Sequence, residues 1–80
     1  MTVVEAILAV TAARGPEKSV CPTEVARAID PDDWRRWLAA VRVEAMQLAD
    51  AGRIVILRKG RPVRGADVRG VIRLRGVGNA

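Results

Sequence analysis

The chain has 80 residues, half of them apolar, with a formal net charge of +5, one cysteine and no histidine. This size and composition predict one folded domain, because disordered chains carry far fewer apolar residues. A single cysteine excludes an internal disulfide, and without histidine a zinc site has too few ligands.

The N-terminal segment predicts a helix over Val3–Arg14. Thr2 and Glu5 have the Thr-x-x-Glu spacing of a capping box at the start of this helix. Gly15, which is followed by a proline, ends it. Residues 19–20 then predict a very short strand.

Two prolines nine positions apart mark two further helix starts. Pro22 is expected to begin a helix of two turns that ends at Ile29, with Cys21 as its cap. Pro31 is expected to begin the longest helix, which ends at about Ala51, with Asp30 as its cap. Apolar residues of this longest helix recur at spacings of four, three, four and three and predict its buried stripe: Trp34, Leu38, Val41, Ala45 and Leu48.

The hydrophobic period changes after Gly52, which is expected to end the third helix in a left-handed conformation. Alternating and β-branched residues predict strands over Ile54–Leu57 and Val71–Arg75. The connection Gly60–Gly70 contains three glycines and one proline, and we expect an extended, mobile loop there. Residues 76–80 are expected to form a frayed tail.

This order of elements predicts an α+β, mainly α fold of the winged helix-turn-helix class. Three helices are followed by a two-stranded β-hairpin wing, in a single domain of residues 1–80. Glu5 interrupts the first apolar stretch, and no basic leader precedes it, so we expect no secretion signal. No apolar run approaches the length of a membrane span. We therefore expect a soluble cytoplasmic protein with no membrane partner.

Five short motifs resemble those of a small bacterial winged-helix family of unknown function, over nearly the whole chain. The motifs are Cys21-Pro-Thr-Glu-Val-Ala, Asp33-Trp-Arg, Val41-Arg42, Ala49-Asp-Ala-Gly-Arg-Ile and Gly70-Val-Ile-Arg. The residues that this resemblance marks are Pro22, Glu24, Trp34, Arg35, Arg42 and Gly60. The resemblance implies the winged-helix fold, and it implies no activity.

Basic charge is concentrated in the C-terminal part of the chain. Residues 1–50 carry six basic and eight acidic side chains, whereas residues 51–80 carry eight basic side chains and one acid, Asp67. A GC-rich genome explains the preference for arginine over lysine, but it does not explain the missing acids. The asymmetry predicts a polyanionic partner.

A nucleic acid is the partner that this pattern favours, with DNA ahead of RNA. The second helix of a helix-turn-helix enters the major groove, so Arg36 and Gln47 on its outward face are predicted to contact bases. Most contacts are expected from the wing, which places four cations against phosphates or in a minor groove: Lys59, Arg61, Arg64 and Arg69. Three residues on the flank of the buried stripe are structural or secondary binding candidates: Trp34, Arg35 and Arg42. Both of these arginines are expected to pair with nearby acids.

Two other interpretations stay open. The domain is a protein-interaction module in the first, with Ala40 and Val43 seating a partner helix. In the second, the wing only keeps the surface solvated. Catalysis is not predicted, because the chain has no histidine or tyrosine and its carboxylates lie mainly at helix starts. Cys21 is expected to be a structural cap rather than a reactive thiol. We expect no cofactor, no metal ion, and a monomer or weak homodimer.

Overall fold

Three α-helices and a four-stranded antiparallel sheet make up most of the computed structural model, which describes residues 1–78. The helices are α1 (Val3–Arg14), α2 (Pro22–Ile29) and α3 (Leu38–Asp50). The strands are β1 (Ser19–Val20), β2 (Ile54–Arg58), β3 (Arg61–Pro62) and β4 (Arg73–Gly76). Single turns of 3-10 helix lie at Trp34–Trp37 and Gly65–Asp67. The fold is therefore α+β and mainly helical.

Helix α1 has the bounds that its capping box predicts. The backbone N–H of Glu5 donates to the Thr2 hydroxyl at 3.0 Å, and the Glu5 carboxylate accepts the Thr2 backbone N–H at 2.7 Å. These two bonds satisfy N–H groups that have no partner within the helix. Gly15 ends the helix with a φ of 95°, a conformation that glycine adopts at little cost.

Helix α2 also has its predicted bounds. Pro22 occupies the first turn, and the Glu24 carboxylate accepts the backbone N–H of Cys21 at 2.8 Å. The last helical residue is Ile29, and Asp30 caps the helix with a backbone N–H that donates to the Ala26 carbonyl at 3.0 Å. Asp30 therefore closes α2.

The predicted start of the third helix at Pro31 is wrong. The Asp30 carboxylate accepts the backbone N–H groups of Asp32 at 3.2 Å and Asp33 at 3.1 Å. These bonds hold residues 31–33 in a turn, and one turn of 3-10 helix follows before α3 begins at Leu38. The prediction that a left-handed Gly52 ends the third helix is confirmed, since Gly52 follows α3 with a φ of 76°.

The sheet has the order β1-β4-β2-β3, so the two predicted strands, β2 and β4, do pair with each other, but they belong to a four-stranded sheet and not to a two-stranded hairpin. Strand β4 lies between β1 and β2, and Leu74 is opposite both Val20 and Ile56. This central strand begins at Arg73 rather than at Val71, and it includes Gly76, which is opposite Ile54. Gly76 is thus not part of a tail.

Residues 79–80 of the predicted tail lie outside the described residues. Within residues 1–78, no helix combines the length and apolar character needed to cross a membrane.

The connection between β2 and β4 is a folded segment and not the extended loop that we expected. Lys59 and Gly60 form a two-residue turn into β3, whose residue Arg61 lies opposite Arg58. The Val63 backbone N–H then donates to the Ile56 carbonyl at 2.9 Å. Val63 and Val68 pack against the hydrophobic core.

The core lies between the helices and the inner face of the sheet. Fully buried residues come from every layer, and the largest are Ile7, Val20, Val25, Val41, Ile56, Ile72 and Leu74. The predicted stripe of the third helix is buried at Val41, Ala45 and Leu48. Its first two members, Trp34 and Leu38, are only half-buried because the chain enters α3 through the 3-10 turn.

Candidate nucleic-acid interface

The segment 63–70, which we call the arm, runs along α3. Near one end of the arm, the Arg64 guanidinium lies 3.6 Å from the Asp50 carboxylate at the end of α3. At the other end, Arg42 Nη1 donates to the Gly70 carbonyl at 3.2 Å. Arg42 and Asp50 are separated by eight residues, or about 12 Å of helix rise. The arm is therefore held against α3 over roughly two turns.

The exposed stripe of α3 lies beside the arm. Its members recur at helical spacing along the whole helix: Ala39, Val43, Gln47 and Asp50. Gln47 is exposed, as predicted, whereas Ala40 is half-buried and does not belong to the outward face. The stripe contains one amide and one carboxylate but no cation.

Arg36 lies in the 3-10 turn that precedes α3, and not on the helix itself. Its side chain is 64% exposed, and Nη1 lies 3.6 Å from the Asp33 carboxylate. Its guanidinium carbon is 5.3 Å from the centroid of the Trp37 ring. Arg36 is thus accessible, but a carboxylate already neutralises part of its charge.

The four cations predicted for the wing are all exposed, and they occupy two places. Arg64 and Arg69 belong to the arm beside α3. Lys59 and Arg61 lie at the turn between β2 and β3, and Lys59 lines a shallow groove together with Ser19 and Arg73. Within residues 1–78, Arg64 is the one member of these four that has a carboxylate within 4.0 Å. Its pair with Asp50 is exposed on both sides and contributes little energy.

The expectation that Arg35 and Arg42 pair with acids is wrong. Arg42 is half-buried and bonds the carbonyl of Gly70, so its role is to hold the arm. The guanidinium carbon of Arg35 lies 4.3 Å from the centroid of the Trp34 ring. Neither arginine has a carboxylate within 4.0 Å among residues 1–78.

A comparison with protein-family models identifies the family of this chain. The model described as a protein of unknown function (DUF3253) matches residues 1–77. The chain belongs to the DUF3253 family. The expected membership of a small uncharacterised family is thereby confirmed. No curated protein matches the chain.

Two arginines that no sequence pattern predicts as a pair, Arg14 and Arg73, meet at Ser19 in this DUF3253 domain. Arg73 donates to Ser19 through Nε to the hydroxyl at 2.6 Å and through Nη2 to the carbonyl at 2.9 Å. Arg14 Nη1 donates to the same carbonyl at 3.1 Å, and Arg14 also forms an ion pair with Glu24. Ser19 and Arg73 are 54 residues apart in the chain. No local sequence pattern connects residues at that separation, so only the register of the sheet brings them together.

The DUF3253 domain thus has a basic surface in two parts. The arm, with Arg64 and Arg69, forms the first part, and the turn between β2 and β3, with Lys59 and Arg61, forms the second. No cluster of three histidine, cysteine or acidic side chains that would suit a metal ion occurs among residues 1–78.

Proposed function

We propose that this DUF3253 domain is a winged helix-turn-helix that binds duplex DNA, with its arm and its β2–β3 turn contacting phosphates. Helices α2 and α3 are consecutive and pack together, as the two helices of a helix-turn-helix do, and residues 30–37 between them form a turn followed by one turn of 3-10 helix. Antiparallel strands follow α3, and the last of them lies between β1 and β2. This combination supports a winged helix with β2, β3, the arm and β4 as an elaborated wing.

The observation that carries the proposal is the set of cations without internal partners. Lys59, Arg61 and Arg69 are exposed, and within residues 1–78 none has a carboxylate within 4.0 Å. Eight basic residues stand against one acid after residue 50. Mutual repulsion of these charges is relieved when a polyanion approaches, so the charge pattern favours a phosphate backbone as the partner.

The exposed stripe of α3 indicates what kind of DNA binding this is. Gln47 offers an amide that suits adenine, but the stripe has no lysine or arginine for guanine. Contacts to phosphates position a protein without reading sequence. The proposed protein therefore binds duplex DNA with little sequence preference.

Fluorescence anisotropy on a generic DNA duplex, across a range of salt concentrations, tests the proposal. Each neutralised phosphate contributes a slope of about −0.9 to log K against log salt. Four wing cations then give a slope of about −3.6. Absence of binding at low salt would overturn the proposal, and tighter binding to a matched RNA duplex would replace DNA with RNA as the ligand.

The triple variant R61A/R64A/R69A locates the contact surface. We expect weaker binding and a salt slope that is shallower by about 2.7, because three phosphate contacts are lost. The melting temperature should change little, since all three side chains are exposed. Unchanged affinity in a folded variant would show that the wing is not the contact surface.

Protein interaction is the second candidate function, and one observation favours it. Val43 is 53% exposed in the middle of the α3 stripe, where apolar side chains usually pack against something. Light scattering separates the two functions. A stable oligomer or a bound protein partner, together with no affinity for duplex DNA, would favour the interaction module.

A further inference from the structure

Two further arginines lie against Trp34 at the corner between α2 and α3. The guanidinium carbon of Arg27 is 4.7 Å from the centroid of the Trp34 ring, and that of Arg35 is 4.3 Å away. Arg27 lies in the last turn of α2, and Arg35 lies in the 3-10 turn before α3. We call Arg27, Trp34 and Arg35 the tryptophan corner.

The acids nearest in sequence, Asp30, Asp32 and Asp33, form no ion pair with the tryptophan corner. Asp33 pairs with Arg36, and the Asp30 carboxylate accepts two backbone N–H groups and the indole N–H of Trp37 at 3.3 Å. Within residues 1–78, neither Arg27 nor Arg35 has a carboxylate within 4.0 Å. Both arginines are exposed.

Stacking on an indole orients a guanidinium without using its hydrogen-bond donors. The contact places the guanidinium carbon over the ring, and among residues 1–78 neither guanidinium makes a hydrogen bond, so the N–H donors stay available. Those donors match two oxygens of a phosphate in a bidentate arrangement. Trp34 therefore holds two cations in a form suited to phosphate oxygens.

We propose that the tryptophan corner is a second phosphate-binding site, which contacts the DNA backbone near the N-terminal end of α3. The inference rests on the proposed function, because it names a further part of the same DNA-binding surface. In a helix-turn-helix, the first helix crosses the sugar–phosphate backbone, and Arg27 belongs to that helix. The arm flanks α3 along its length, and the corner lies at its start. DNA bound over α3 is thus held by cations from two separate parts of the fold.

The salt dependence of DNA binding distinguishes one site from two. With the wing alone, the four predicted cations give a slope of about −3.6 in log K against log salt, whereas Arg27 and Arg35 raise its magnitude to about 5.4. The test uses the full chain and a generic duplex of about two helical turns. We expect R27Q/R35Q to bind more weakly than the wild type, with a slope shallower by about 1.8. The single variants R27Q and R35Q should each lower the magnitude of the slope by about 0.9.

The matched control is K18Q/R53Q, which removes two exposed charges that do not belong to the tryptophan corner or to the wing cations. Lys18 lies in the turn after α1, and Arg53 lines a groove against α1. If R27Q/R35Q and K18Q/R53Q have the same slope and affinity, the tryptophan corner is not a phosphate site. That result would leave the proposed function intact as long as the wild type binds and R61A/R64A/R69A binds more weakly, with a salt slope that is shallower by about 2.7. Melting curves confirm that each variant is folded, and the single variants serve if the double variant is not.

Discussion

Glu24 connects three parts of the chain through one carboxylate. It accepts the backbone N–H of Cys21 at 2.8 Å and forms an ion pair with Arg14, which also donates to the Ser19 carbonyl. The hydrogen bond from Cys21 is the main cause that lowers the pKa of the Glu24 carboxyl, and Arg14 is the second. The charged form of Glu24 therefore stabilises the junction between α1, β1 and α2.

Replacing Glu24 with glutamine should lower stability at neutral pH by about 1 kcal/mol, since one charge-assisted hydrogen bond and one exposed ion pair are weakened. The pKa of Glu24 is lower in the folded state than in the unfolded chain, where it is about 4.3. Its stabilising contribution is fully present above that value and is lost as the pH falls through the folded pKa. Urea unfolding of the wild type and E24Q between pH 7 and pH 3 measures the difference, which should shrink on acidification.

Glu17 provides the control for that measurement. It is exposed in the turn after α1 and has no cation within 4.0 Å among residues 1–78. E17Q should therefore follow the wild-type pH profile. A gap between E24Q and the wild type that stays constant down to pH 3 would show that the charge of Glu24 is not the cause.

At the scale of elements, the start of the third helix shows where sequence patterns become ambiguous. A cap residue and a turn residue of the Asx type both accept N–H groups two or three positions onward. The Asp30 carboxylate accepts such bonds from Asp32 and Asp33. The sequence around Asp30 therefore looks the same whether Asp30 caps a helix or closes a turn. The indole N–H of Trp37, which also donates to Asp30, belongs to the turn. No pattern within a few residues distinguishes the two cases.

Helix bounds with an unambiguous local signal were predicted correctly. The capping box of Thr2 and Glu5 and the proline at the start of α2 set helix bounds within one turn. Strand β3 was missed although its partner residue Arg58 lies only three residues before Arg61, since its two exposed residues show no alternating apolar pattern. The arm was missed because it depends on distant partners. Gly70, for example, is bonded by Arg42, which lies 28 residues earlier in the chain.

Gly60→Ala tests the turn between β2 and β3. Lys59 and Gly60 have φ values of 52° and 77°, so both central residues of this turn are left-handed, as in the tight turns that join antiparallel strands. A Cβ at Gly60 meets open space, and the expected loss of about 1 kcal/mol comes from backbone strain alone. Urea unfolding measures it. G78A is the control, because the Gly78 backbone is not left-handed; equal effects of the two substitutions would contradict the assignment.

At the scale of the whole molecule, β4 connects strands from the N-terminal and the C-terminal parts of the chain. It pairs with β1, which follows α1, and with β2, which follows α3. Leu74 at its centre is completely buried. A domain of this size has a total stability of about 4–12 kcal/mol, so a defect in this strand affects the fold as a unit.

Leu74→Ala should cost about 2–5 kcal/mol, because it opens a cavity where strands and helices meet. Val71, three residues earlier, is 86% exposed, and V71A should change stability by less than about 0.5 kcal/mol. Thermal unfolding followed by circular dichroism compares the two variants. A small effect of L74A would mean that β4 is not the centre of the sheet.

The charge asymmetry between the two parts of the chain is visible in the sequence, but the spatial grouping of the basic side chains is not. Counting residues shows that acids are scarce after residue 50. The division of the cations between the arm and the β2–β3 turn depends on the fold. The stacking of Arg27 and Arg35 on Trp34 also depends on the turn that replaced the predicted helix start. Charge sign and approximate location were therefore predictable, and the grouping of the side chains was not.

Because Val63 and Val68 pack on the core and Gly70 is bonded to α3, the arm loses its backbone freedom when the domain folds. A binding partner does not have to order this segment, and only the rotamers of the exposed arginines remain to be restricted on contact. The entropic cost of association is lower for such a rigid surface than for a disordered basic tail of equal charge. The anchored arm also narrows the range of partner shapes that fit, because its backbone is held at Val63, Val68 and Gly70.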